Sequence, residues 1–204
     1  MSRMNQPIAT PSRTLLGFGA STMQGVGDTS AGGFFTRASR AESMQRRYAN
    51  FINHGIGGNT VADMLARVDK AVDAAGLDYD VVVILGCNDV PRDRDGNPAV
   101  RSTPQAYAAT LAQMFPRVKS PKGRSLFISS FAVSYEKTGV CTDVFSQYMD
   151  PAMKLAQQAG YEVWDLWRAT EPVAPRYWAT DGLHFNDAGH QYIADGVVAR
   201  FATA

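Results

Sequence analysis

Cysteine is scarce in this chain. Cys87 and Cys141 are the only two in 204 residues; they make no disulfide framework and do not sit at the CxxC spacing of a zinc or redox site. Histidine is nearly as rare. His54, His184 and His190 include no HExxH pair, which excludes that zinc-hydrolase arrangement, and no GxxxxGK[ST] run offers a phosphate loop. Net charge is close to absent too, at +1, so no basic field points to nucleic acid or to an anionic membrane. The longest strongly apolar run, Val81 to Leu85, is too short to span a bilayer, so integral membrane association is not expected. Met1 to Pro11 is polar, holds two prolines and lacks the apolar stretch of a secretory leader. The expectation is a cytoplasmic protein with reduced thiols, Cys87 being a core thiol at the end of a buried strand.

What is present describes an ordinary globular chain. Hydrophobic residues make up 45% and charged residues 19%, which argues against disorder. The length suits one domain over residues 13–204 after a short tail over 1–12, with a core that needs no covalent staples. Short apolar runs alternate with longer amphipathic ones, the signature of βαβ units. Strands are expected at Thr14 to Phe18, Tyr48 to Asn53, Asp80 to Gly86, Ser125 to Ser130 and Tyr161 to Asp165. The third is the clearest, because Val81 to Leu85 runs apolar without alternation, as when helices cover both faces of a parallel sheet. Helices are expected at Phe34 to Gln45, Thr60 to Ala75, Pro104 to Val118, Val144 to Ala159 and Asn186 to Phe201. The predicted fold is α/β, a three-layer α/β/α sandwich around about five parallel strands.

Polar and glycine-rich segments fall where those strands end: Gly19 to Gly27, Asn53 to Asn59, Gly86 to Asp89 and Thr180 to Asn186. Sites in open parallel sheets lie beyond the carboxyl ends of strands, so four stretches far apart in sequence can converge. Ser21 follows the first strand between glycines that permit a tight turn; on this segment alone, a loop serine or helix cap is the favoured reading. Asn53 to Gly58 carries three glycines whose backbone can approach a ligand closely, or simply turn the chain. Asn88 can donate an amide N–H to developing negative charge, or close an Asx-turn, and Asp89 can cap the loop that follows. Asp181, three residues before His184, can hold the imidazole in one tautomer with its other nitrogen toward a serine. His54 has no evident carboxylate beside it, and His190 reads as a partly exposed helix residue. Gly17 and Gly19 form a short G-x-G, but Thr22 stands where a dinucleotide loop has its third glycine.

Taken together and in this order, the four segments resemble the SGNH hydrolases, also called the GDSL esterase/lipase family. Gly19 to Gly25 is similar to the family's serine block, with Ser21 in the nucleophile position. Asn53 to Gly58 is similar to its N-x-G-x-x-G block, with Gly55 offering a backbone N–H. Gly86 to Asp89 matches G-x-N-D with Asn88 as side-chain donor, and Asp181 to His184 matches D-x-x-H within DGLHFNDAGH. Two positions depart from the pattern: Ala20 replaces the usual aspartate before the serine, and Phe185 replaces the proline after the histidine. The second substitution suggests a change in loop rigidity or an aromatic wall for the pocket.

The resemblance implies a flavodoxin-like sheet in the order 2-1-3-4-5, with no metal and no organic cofactor. It implies a carboxylic ester hydrolase in which His184 activates Ser21, Asp181 orients His184, and Ser21, Gly55 and Asn88 form the oxyanion hole. The expected partner is a small-molecule ester of short or medium acyl length, and oligomeric state is not encoded. Trp178 and Phe185 flank the Asp–His turn as candidate substrate contacts. The loops Val90 to Thr103, with Arg92 and Arg94, and Ala132 to Thr142, with Tyr135 and Lys137, are candidate pocket shapers. A carbohydrate O-acetylesterase on the same scaffold, a non-catalytic module that kept the fold, and a flavin-binding protein are the readings left beside it.

Overall fold

The structure, a computed structural model, describes residues 11–91, 102–140 and 142–202. Arg92, Arg94 and Cys141 lie outside the described residues, as does most of the expected tail. The chain runs β1 (Arg13–Gly19), α1 (Ser21–Gln24), α2 (Phe34–Ser39), α3 (Glu42–Arg47), β2 (Tyr48–Gly55), α4 (Val61–Ala66) and α5 (Val68–Ala75). It continues with β3 (Tyr79–Ile84), α6 (Pro104–Val118), β4 (Ser125–Ile128), α7 (Tyr135–Thr138), α8 (Thr142–Gln158) and β5 (Glu162–Trp164). It closes with α9 (Leu166–Thr170), a 3₁₀ segment (Glu171–Tyr177) and α10 (Asp187–Phe201).

The five strands form one sheet in the order β2-β1-β3-β4-β5, and every neighbouring pair is parallel. Alternate residues of each strand feed two separate cores. Leu15, Val82, Ile84, Leu126 and Ile128 pack on one face with Phe34, Phe35 and Phe201 from α2 and α10. Leu16, Phe18, Val81, Val83 and Phe127 pack on the other with Met64, Leu111 and Met149 from α4, α6 and α8. Covering both faces explains the unbroken apolar run of β3, since neither side of that strand meets water. Among the described residues, no helix is long and apolar enough to cross a membrane.

Two expected helices are divided. The helical run from Phe34 breaks at Ala41, whose backbone is extended, and the run from Thr60 breaks at Arg67 (φ −116°, ψ 9°). α4 is anchored at its start by a capping box between Thr60 and Asp63, and by Asp89, whose Oδ2 accepts the Val61 N–H at 3.0 Å. Asp89 therefore caps the helix after β2. Cys87 is buried, as expected of a core residue at the end of β3.

Candidate active site

Ser21 is the first residue of α1, two positions beyond the end of β1. The turn is tight because the backbone is crowded from below. A Cβ at Gly19 would stand 2.5 Å from the carbonyl oxygen of Ile84 and 2.8 Å from Met23 Cβ. The first N–H groups of a helix have no carbonyl of their own turn to bond, so the Ser21 N–H stays available beside its hydroxyl. The Val26 N–H donates to the Ser21 carbonyl at 3.0 Å and ties the following loop to the same turn.

His184 reaches this serine from 163 residues away. Its Nε2 lies 3.0 Å from Ser21 Oγ, and its Nδ1 lies 2.6 Å from Asp181 Oδ2. The other oxygen, Asp181 Oδ1, accepts the N–H groups of Leu183 (2.8 Å) and His184 (2.9 Å). Burial opposes ionisation of this carboxyl, but the bonds from the His184 amide, the His184 ring and the Leu183 amide outweigh it. Asp181 is held below the usual carboxylate range and stays an anion facing the imidazole. With Asp181 as acceptor, Nδ1 carries the proton and Nε2 faces the hydroxyl as a base.

The Asp–His turn is held by its neighbours. The Ser134 N–H donates to the Gly182 carbonyl at 2.9 Å, Lys137 Nζ to the Thr180 carbonyl at 2.9 Å, and Trp178 Nε1 to the Ala132 carbonyl at 2.7 Å. The loop carrying Tyr135 and Lys137 thus acts first as a brace for this turn. On the other side lies the loop of residues 25–33, built around Asp28. Its carboxylate accepts from the Ser30, Ala31 and Gly33 amides and from the Arg37 guanidinium. The Arg37 bond, acting against burial and helped by the amides, pushes the Asp28 carboxyl far below its ordinary value.

The glycine segment departs from expectation. Gly55 donates its N–H to Asn53 Oδ1 at 2.8 Å, and Gly57 donates to Gln24 Oε1 at 2.7 Å. The Gly55 amide is spent within its own turn and the Gly57 amide on α1, so Gly55 is corrected as an oxyanion donor. The Gly58 N–H has no partner among the described residues, and Gly58 holds a left-handed φ of +77° beside open space. It is the amide of this segment free to receive an anion. Asn88 gives one Nδ2–H to the Asn59 carbonyl at 2.9 Å, leaving its second for a ligand.

Two further placements, those of Phe185 and His190, differ from the sequence reading. Phe185 lines no pocket: it is fully buried, with its ring centroid 3.6 Å from that of Phe131, and fills the core beneath the turn. His190 is not partly exposed but fully buried, accepting from the Phe34 N–H at 3.1 Å and lying 3.0 Å from the Val26 carbonyl. His54 sits near Arg67 and Lys70, and burial together with these two cations lowers its pKa. The signal for His190 was its spacing from the core residues Ile193, Ala194 and Val197 on α10, which share its helical face.

Two cavities adjoin the site. A recess of about 10 Å³ is lined by Ser21, Gly86, Asn88, Ser130, Phe131 and Leu183, among others. A groove of about 630 Å³ meets the turn at Asp181 and is walled by Gly27, Thr29, Trp178, Thr180 and Asp187. No cluster of three or more metal-ligating side chains occurs among the described residues.

A serine hydroxyl in contact with a carboxylate-backed imidazole, at the carboxyl edge of an all-parallel sheet, defines a hydrolase of flavodoxin-like architecture. Comparison with known proteins agrees. The model of the GDSL-like lipase/acylhydrolase family matches residues 18–192, and the chain belongs to that family. It is a carboxylic ester hydrolase. It is 26% identical over 174 residues to the human isoamyl acetate-hydrolyzing esterase 1 homolog, covering 76% of this chain and 69% of that one. Its fold matches a lipase/acylhydrolase from Enterococcus faecalis with a TM-score of 0.76 at 22% identity, over 94% of this chain and 96% of the other. It also matches an acetylxylan esterase from Geobacillus stearothermophilus with a TM-score of 0.72 at 23% identity, over 95% and 96% of the two chains.

Proposed function

We propose that the chain hydrolyses short-chain esters, acetyl esters foremost, through an acyl-enzyme on Ser21. The observation that carries this reading is the 3.0 Å contact between Ser21 Oγ and a His184 ring whose far nitrogen is held by Asp181. His184 takes the hydroxyl proton as Oγ attacks the ester carbonyl. Asp181 stabilises the imidazolium that results. The carbonyl oxygen, now an anion, is received by the N–H groups of Ser21 and Gly58 and by the Asn88 amide. His184 then protonates the leaving alcohol. Water attacks the acyl-enzyme with His184 again as base, and the acid is released with Ser21 restored.

Acyl length follows from room. A recess of about 10 Å³ beside Ser21 is close to the minimum for one water-sized group, which suits the methyl of an acetyl. The alcohol side meets no such limit, since the groove at Asp181 is far larger. Its aromatic Trp178 and hydroxyl-bearing Thr29 and Thr180 favour, as a second reading, an acetylated sugar as substrate. The acetylxylan esterase among the structural matches supports that direction.

The test is a series of nitrophenyl esters from acetyl to palmitoyl with wild type and Ser21→Ala. Turnover is expected to be greatest for acetyl and to vanish in Ser21→Ala while the fold is kept. Release of acetate from acetylated xylo-oligosaccharides separates the sugar reading from that of a simple ester. A Ser21→Ala protein as fast as wild type would overturn the mechanism.

A further inference from the structure

Arg67 makes three hydrogen bonds, and all three end on neutral oxygens. Nε donates to Asn59 Oδ1 at 2.7 Å, Nη1 to the His54 carbonyl at 2.8 Å and Nη2 to the Gly19 carbonyl at 2.7 Å. The guanidinium also lies over the Phe18 ring, 4.7 Å from its centroid. Nothing in the acyl-transfer chemistry uses this side chain, yet a half-buried cation spent on carbonyl groups is a costly arrangement. Its desolvation is visible in a pKa pushed below the ordinary arginine value by burial, with Asp63 opposing.

The three acceptors are not scattered. Gly19 is the last residue of β1, two positions before Ser21. His54 and Asn59 bracket the turn that contains Gly58. The main-chain carbonyl of Asn59 is in turn the acceptor of Asn88 Nδ2 at 2.9 Å. One planar fork therefore touches every loop that supplies an oxyanion donor in the proposed mechanism: the Ser21 turn directly, the Gly58 turn at both ends, and Asn88 through Asn59. The position of Arg67 fits the same role. It stands at the break between α4 and α5, where the chain leaves helical geometry and the side chain is carried to the ends of β1 and β2.

Resting on the serine mechanism above, we infer that Arg67 is a positioning residue that sets the spacing of the oxyanion donors Ser21 N–H, Gly58 N–H and Asn88 Nδ2–H. A lysine in its place keeps the charge but has no fork, so it cannot hold three diverging carbonyl groups at once. The consequence falls on the transition state, where the anion exists, and not on binding of the neutral ester.

The experiment uses the full chain and nitrophenyl acetate, with rates normalised to competent sites by the nitrophenol burst. Arg67→Lys is expected to lower kcat by about 10- to 100-fold with KM changed less than about threefold. Asn59→Ala, which cuts one arm of the fork and leaves the arginine in place, should lower kcat in the same sense. The double variant Arg67→Lys/Asn88→Ala should lose clearly less than the product of the two single effects, because both act on one oxyanion while Ser21 and Gly58 still depend on Arg67. The assignment is overturned if normalised kcat in Arg67→Lys and Asn59→Ala stays within about twofold of wild type. It is equally overturned if the double variant loses the full product of the two single effects. An inactive Ser21→Ala beside an unimpaired Arg67→Lys sinks this inference alone, whereas an active Ser21→Ala sinks the serine mechanism beneath it.

Discussion

The buried ring of His190 spans two segments at once, with Nδ1 3.1 Å from the Phe34 amide and Nε2 3.0 Å from the Val26 carbonyl. Since an amide can only donate and a carbonyl only accept, the ring is neutral with its proton on Nε2. It joins α10 to both ends of the loop that leaves the Ser21 turn.

This neutral ring ties stability to pH. Burial lowers the His190 pKa below its ordinary value, helped by Arg37 and opposed by the Val26 bond, Asp28 and Asp187. The unfolded chain, with an ordinary histidine near pH ~6.5, then binds more protons than the folded one as the medium acidifies. The contribution is complete above that pH and is lost as pH falls below it. Urea midpoints should decline from pH 8 to pH 5.5 in wild type. His190→Asn should be less stable at pH 8 by roughly 1–3 kcal/mol and show a flatter decline. Parallel pH curves for the two proteins would contradict this account.

Asp181→Asn tests the imidazole's orientation. The amide oxygen can still accept the Leu183 and His184 N–H groups, so the turn is expected to keep its shape. The Nδ2 group cannot accept from His184 Nδ1, so the ring turns to the wrong tautomer. A fall in kcat of about 10³- to 10⁴-fold is expected with little change in melting temperature. Single-turnover acylation of the enzyme by nitrophenyl acetate measures it.

Gly27 is a position outside the reacting residues where a methyl group would disturb the site. Its φ is +96°, and an added Cβ would run into the Phe185 carbonyl oxygen and stand 3.1 Å from His184 Cβ. That carbonyl cannot retreat freely: the neighbouring His184 carbonyl accepts the Ala179 N–H at 2.8 Å, and the Asn186 N–H donates to Tyr177 at 2.8 Å. Gly27→Ala is expected to cost about 1–2 kcal/mol in backbone strain alone and to lower kcat by displacing His184. Thermal melts beside nitrophenyl acetate kinetics would show both; a variant with wild-type kcat would separate Gly27 from the site.

Much of this was readable from residue order. The five strands appear where the residue pattern placed them, β3 most clearly, because a strand buried on both faces keeps an unbroken apolar run. Ser21, Asp181 and His184 were marked by block spacing and do meet. The misreadings share a cause. Gly55, Phe185 and His190 were judged by what their side chains or amides can do, without knowing what they already touch. Nothing in the sequence says that Asn53 takes the Gly55 amide, or that Phe131 receives the Phe185 ring. The breaks at Ala41 and Arg67 were hidden because the apolar spacing continues across both. The second falls at Arg67, whose side chain bonds the carbonyls at the ends of β1 and β2.

The hydroxyl is carried by the first strand's turn and the imidazole by a segment 163 positions later, past the last strand of the sheet. Collapse of the two apolar layers can therefore run far ahead of competence. During refolding from urea, recovered ester cleavage is a clock for the final docking of the 178–187 segment against the 25–33 loop, whereas far-ultraviolet ellipticity reports the earlier gathering of strands and helices.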